Sequence, residues 1–176
     1  MIANKTKENI GVQILQSAAM GGDSVLEFVI KPGEKTPKHY HRIFTESFEI
    51  LAGSLCIGLG KTVQTYHIGE KLDIPPYCVH YFHNVSEEDC LVRVTVQPGN
   101  LNFERALNLS KSLAADGLAS PAGTPKRFKD LALFVFLNDS HSVGVLGVVQ
   151  PVLTAVAKWQ VKNGYLQKLL DNYKIT

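Results

Sequence analysis

Residues 33–53 read GEKTPKHYHRIFTESFEILAG. Three side chains in this stretch are good metal ligands: His39, His41 and Glu46, two imidazoles and a carboxylate. His39 and His41 are two residues apart, so on an extended strand they share one face and Tyr40 takes the other. Thr36-Pro37 keeps the chain extended into His39, because proline drives the residue before it away from helical angles. Gly53 sits where a tight hairpin needs a residue tolerant of positive φ. A further ligand is required to hold an ion well, and His80 is the leading candidate.

Short strands surround the stretch on both sides. Val12–Gln16 reads as a short strand and Ser24–Ile30 as a β-branched one, followed by the turn Lys31-Pro32-Gly33-Glu34. Glu46–Leu51, Leu55–Leu59, Val63–Ile68, Lys71–Ile74 and His80–Asn84 follow at near-regular spacing. Cys90–Val96 closes the series, with Val92, Val94 and Val96 on one face and Leu91, Arg93 and Thr95 on the other. Many short strands with Gly and Pro at the turns predict an all-β sandwich or barrel.

The character changes at Leu101. Asn102 is placed to cap a helix from Phe103 to about Asp116, with Gly117 at its end. Lys126–Leu137 reads as a second helix, broken by Asn138-Asp139-Ser140-His141. Val143–Val149 is ambiguous. Pro151 suits the first turn of a helix through Val161, and Tyr165–Tyr173 adds another helical piece. The reading is therefore a β-barrel domain over residues 1–100 and a helical extension over residues 101–176. The extension is expected to pack on the barrel's outer face or on a second subunit.

Composition narrows the function classes. The chain has 176 residues, 45% hydrophobic and 19% charged, enough to bury a sizeable core. A net charge of +2 is too small to argue for nucleic acid, and no basic cluster stands beside aromatics. Cys56, Cys78 and Cys90 are odd in number and form no CxxC, which favours a reducing compartment. Met1–Gly22 carries no continuous apolar segment, so no signal peptide is expected, and a cytoplasmic protein is. The uncharged run Ser142–Ala157 is shorter than the ~18–20 residues of a membrane span, and Gly144, Gly147 and Pro151 interrupt it.

The spacing of the candidate ligands extends across two blocks. Gly33 is followed by five residues, His39-x-His41, four residues, Glu46, six residues and Gly53. Gly69 is followed by five residues, Pro75, and later His80, three residues and Asn84. These blocks resemble the two motifs of the cupin superfamily, G-x5-H-x-H-x3-4-E-x6-G and G-x5-P-x-G-x2-H-x3-N. The one departure is Tyr77, where the family pattern has Gly, a residue that allows positive φ. Either that loop takes another conformation or Tyr77 stacks over the barrel mouth.

The resemblance implies a mainly β fold: a cupin-type antiparallel jelly-roll barrel, here followed by the α-helical extension. It also implies one divalent metal ion (Fe, Mn, Ni, Cu or Zn) held by His39, His41, Glu46 and His80. Taken singly, each of these is more often an ordinary surface residue; jointly, at this spacing, they read as a site. Strand parity puts Phe48 and Ile50 on the face of Glu46 and Phe82 on that of His80, so these residues, with Tyr77, are candidate substrate-binding walls. Arg93 is read equally as an inward clamp for a substrate carboxylate and as an exposed strand residue. His67, His83 and His141 fall outside the pattern.

The activity expected first is a mononuclear metal-dependent dioxygenase, similar to quercetinase-like cupins, with Glu46 doubling as proton acceptor. An O2-independent isomerase or decarboxylase is an alternative, as is a sugar or small-molecule binding module without catalysis. A small-molecule ligand and a homodimer are the expected partners.

Overall fold

The structure, a computed structural model, describes residues 12–120 and 122–175; the expectation about a leader segment falls largely outside them. Two five-stranded antiparallel sheets face each other. The first has the order β1 (Gln13–Gln16), β2 (Ser24–Ile30), β9 (Cys90–Gln97), β4 (Thr45–Ala52), β7 (Lys71–Ile74). The second has the order β10 (His141–Ser142), β3 (His39–Tyr40), β8 (His80–His83), β5 (Ser54–Leu59), β6 (Thr62–His67).

Period-two alternation decides which residues fill the space between the sheets. Leu26, Phe28 and Ile30 of β2, Phe48 and Ile50 of β4, and Cys90, Val92, Val94 and Val96 of β9 all point inward and are buried. Each such aliphatic or aromatic side chain contributes roughly 1.5–3 kcal/mol by leaving water. Between β4 and β5, Gly53 has φ 75°. A Cβ there would lie 2.6 Å from the Asp89 carbonyl oxygen, so only glycine fits the corner.

Arg93 does not point into the barrel. It lies on the opposite face of β9, in register with Glu27 of β2 and Glu49 of β4. Its guanidinium reaches Glu27 Oε1 at 2.6 Å and Glu49 Oε2 at 3.3 Å. The two flanking carboxylates hold the arginine outside, which removes it as a substrate clamp. The pKa of Arg93 is raised by the same hydrogen bonds.

The segment after residue 100 differs from the expectation in three ways. First, the cap of α1 (Leu101–Ala115) is Asn100, not Asn102: its side chain accepts from the N–H groups of Asn102 and Phe103. The helix begins two residues early because Asn100 still has extended angles, as a cap requires. Second, the extension is not wholly helical. His141–Ser142 forms β10, which pairs with β3 and places Ser142 opposite His39. Third, the extension also walls the interior, with Phe103, Leu107 and Lys111 of α1 lining the interior cavity.

Glu104 fixes α1 in that position. Its buried carboxylate accepts from Ser17 Oγ at 2.7 Å, the Ala18 N–H at 2.8 Å and Ser24 Oγ. Behind α1 stand α2 (Phe128–Leu137), the short α3 (Val145–Val148), α4 (Gln150–Lys162) and α5 (Tyr165–Tyr173). Buried Asp130 of α2 accepts from Arg127 Nε and from the Tyr165 hydroxyl, tying α2 to α5. Among the described residues no helix is long and apolar enough to cross a membrane.

Candidate metal centre

The two sheets deliver four ligand-type side chains to one place. His39 of β3 and His80 of β8 stand directly opposite in register, with ring centroids 4.3 Å apart. His41 follows β3 and turns back to the same space, its ring 5.0 Å from His39 and 5.3 Å from His80. A ligand nitrogen from each of the three lies within 4.8 Å of the others. Glu46 approaches from β4 in the other sheet, its Oε2 3.5 Å from His41 Nε2 and 3.2 Å from His80 Nε2. All four residues are buried.

The hydrogen bonds of the outer ring nitrogens test whether this group fits a metal. His39 Nδ1 lies 2.8 Å from the Pro37 carbonyl oxygen, His41 Nδ1 3.2 Å from that of Asp139, and His80 Nδ1 3.0 Å from that of Cys78. A carbonyl only accepts, so each Nδ1 carries the proton and each Nε2 is left with a lone pair. His80 Nε2 is buried and has no aligned hydrogen-bond partner although Glu46 Oε2 is close. Lone pairs facing a carboxylate in a buried site are offset by a positive charge between them, a proton on one ring or a metal ion shared by all. Three imidazoles and a carboxylate, with no thiolate, are a donor set for a divalent transition metal.

The charges of the site follow from the same contacts. Burial, reinforced by His80 and His41, lowers the His39 pKa to about 3, so this imidazole stays neutral. Burial alone would raise Glu46, but hydrogen bonding and charge from His41 and His80 outweigh it and hold the carboxyl below its usual range. Burial would lower His80; its contacts with Glu46 outweigh that and raise it. In the metal-free protein, therefore, a proton on His80 answers Glu46.

Packing holds the rings in place. Phe44 stacks on His41 at 4.6 Å, and Phe103 from α1 meets both Phe44 and His41 edge-on. Beside the ligands opens a cavity of about 80 Å³ whose apolar walls include Phe28, Phe48, Phe82 and Leu107. Phe48 and Phe82 thus line the cavity. Ile50 does not; it lies in the barrel core. Tyr77 is 67% exposed and stacks on Tyr40, which in turn stacks on His141. Its φ is 65°, so the loop keeps the left-handed conformation that the missing glycine would adopt. The Tyr77 N–H donates to the His41 carbonyl at 2.7 Å, which ties the loop to the backbone of a candidate ligand.

A family model described as a cupin domain matches residues 26–100. Residues 26–100 form a cupin domain. The cupin barrel is similar in fold to a double-stranded β-helix protein from Klebsiella pneumoniae, with 20% identity over 56% of this chain and 84% of that one, TM-score 0.45. A protein from Thermus thermophilus gives 18% identity, 51% and 85% coverage and a TM-score of 0.45. A cupin-2 protein from Shewanella frigidimarina gives 18%, 52% and 83%, and 0.43. No curated protein matches the chain.

Several residues around the site lie outside the cupin match or its motifs. Asp139 is the foremost. Its φ is 44°, its carbonyl oxygen takes the His41 Nδ1–H, and its carboxylate accepts the Arg42 N–H at 2.6 Å and stands 2.9 Å from His141 Nε2. In sequence it reads only as part of a helix break; nothing local links it to a histidine 98 residues away. Phe103, Lys111 and Asn138 likewise reach the cavity from the extension. Glu34 had a signal, its place beside Gly33 in the first motif. It is buried, lines the cavity, and its pKa is raised by burial against a partial offset from Lys111.

Proposed function

We propose that the protein is a metal-dependent enzyme acting on a small organic substrate, with a mononuclear dioxygenase reaction of the quercetinase-like type as the leading activity. The observation that supports this most strongly is the set of three Nδ1–H donations to carbonyls, which leaves three Nε2 lone pairs and Glu46 around one buried point. His39, His41, His80 and Glu46 would hold the ion. A bound divalent ion supplies a Lewis acid for a substrate oxygen and, if redox-active, a means of activating O2.

The chain's own groups account for the rest. Phe28, Phe48, Phe82 and Phe103 keep water away from the reacting end of the substrate. Glu46 is held ionised by its histidine neighbours; the same contacts weaken it as a base, so its first role would be as a ligand, and it would accept a proton from an enol or hydroxyl only once those contacts are given up. A cavity of about 80 Å³ is small beside the roughly 300–1,000 Å³ of drug-sized sites, so the substrate has few heavy atoms. A flavonoid-sized substrate is too large for this space.

The test is to load the metal-free protein anaerobically with Fe(II), Mn(II), Ni(II) or Cu(II), measure metal content, and then follow O2 uptake with small catechol- and enol-type compounds. Retention of about one ion per chain and O2 consumption with at least one metal are expected. Turnover that persists under strict anaerobiosis would move the protein to the isomerase or decarboxylase class. Failure to retain any of the metals would overturn the proposal.

A further inference from the structure

The polar groups of the cavity fall into two kinds. Some are already committed: Ser110 Oγ donates to the Gly123 carbonyl, and Thr36 Oγ1 accepts the Phe82 N–H. Three are not. Lys111 Nζ lies 4.0 Å from Glu34 Oε2 and 3.5 Å from the Val29 carbonyl, and 5.9 Å from the Phe28 ring centre. The Glu34 carboxylate, 7% exposed, accepts no hydrogen bond among the described residues. Asn138 is also 7% exposed, and its Oδ1 is buried with no partner among them.

A buried acceptor without a donor costs about 1–3 kcal/mol. Asn138 ends α2 as its C-terminal cap, a position any short polar residue fills by its backbone alone. Its amide is therefore not explained by the helix. It lines the metal cavity, where a ligand donor would satisfy it. Charge adds a second constraint. A divalent ion, Lys111, Glu34 and Glu46 together leave one positive charge in the cavity, which one monoanion balances. Size adds a third, since the space admits only a few heavy atoms beside apolar walls.

We propose that the extension reads the substrate: Lys111 binds the carboxylate and Asn138 the hydroxyl of a small hydroxy acid in its monoanionic form. The inference rests on the metal reading above, because without the ion, and with His80 protonated against Glu46, the cavity has no positive charge left over for an anion to balance. It assigns recognition to two residues beyond the cupin domain and chemistry to the four within it. Both recognition residues are held in place by the contacts that dock α1 and end α2 against the cavity.

The experiment uses the full chain loaded with zinc, which binds ligands without turning them over. Zinc content is measured first, and lactate, propionate and lactamide are then titrated calorimetrically. Lactate is expected to bind at least tenfold tighter than either of the others, since propionate lacks the hydroxyl and lactamide the charge. Lys111→Met should erase the preference over lactamide, and Asn138→Leu the preference over propionate, each with zinc retained. If Asn138→Leu does not fold, Asn138→Asp serves instead and should weaken lactate at least tenfold by repulsion. Retained zinc with equal binding of the three ligands, or with preferences that survive the substitutions, overturns this inference alone. Failure to retain zinc overturns the metal reading and, with it, the charge balance used here.

Discussion

At the scale of the residue, the site is governed by which nitrogen of each histidine is engaged. Backbone carbonyls of Pro37, Asp139 and Cys78 take the outer N–H groups, so no ligand has to choose its tautomer when a metal arrives. His39→Ala removes one of three converging nitrogens, and elemental analysis should find metal content falling from about one per chain to roughly a tenth of that or less. Metal binding should also release a proton. The raised His80 is protonated in the metal-free protein below a value that lies above 6.5, whereas His39, near 3, is already neutral. Affinity should therefore climb as pH rises through 6.5 and level off once His80 has lost its proton. Calorimetry at about pH 6.5 should give enthalpies that vary with the ionisation heat of the buffer; identical enthalpies in every buffer would refute the assignment.

Asp139 belongs to the same scale. Aspartate tolerates φ 44° better than alanine does, and its carboxylate pins the Arg42 N–H while its carbonyl pins His41. Asp139→Ala is expected to cost about 1–3 kcal/mol in a denaturant melt and to weaken metal binding roughly 10–100-fold in a chelator competition. Unchanged metal affinity would mean that another group orients His41 equally well.

At the scale of the element, α1 is held over the barrel by one buried carboxylate with three donors. Hydrogen bonds to charged groups contribute roughly 1.5–3 kcal/mol each, and a partner stripped of its charge leaves donors half-satisfied. Glu104→Gln should lower stability by about 2–4 kcal/mol, read from the urea midpoint; a shift under about 0.5 kcal/mol would show that apolar packing of Phe103 and Ala106 suffices. The strands were legible because their inward residues repeat every second position, from Leu26-Phe28-Ile30 to Val92-Val94-Val96. β10 was not legible. Two residues, His141 and Ser142, carry no periodicity, and only their long-range partner β3 makes them a strand. The cap at Asn100 was missed for a related reason: two asparagines stood near the helix start, and only backbone angles separate them.

At the scale of the whole molecule, an ion in the site would bridge both sheets, through His39 and His80 on one and Glu46 on the other. Free metal at about 100 times its dissociation constant adds about 2.7 kcal/mol to folding stability. For a chain of this length that corresponds to roughly 5–10 °C in melting temperature. A chelator should lower Tm by that amount in the wild type and leave His39→Ala unmoved. The convergence of three histidines was readable at this scale too, since fixed spacings within one barrel carry His39, His41 and His80 to one point, with Glu46 beside two of them. The cavity's far wall was not. Lys111, Asn138 and Asp139 meet the barrel only through the packing of separate helices, which no spacing in the chain encodes.

That the cavity is walled from beyond residue 100 changes how this chain can be compared with others. Two proteins with identical barrels and identical ligands would accept different molecules if their extensions differed at a position such as Asn138. Inheritance of a metal and inheritance of a specificity are then separate events, the first recorded in the barrel and the second in the helices that follow it. An activity transferred between such proteins on barrel likeness alone would carry the reagent and lose the reactant.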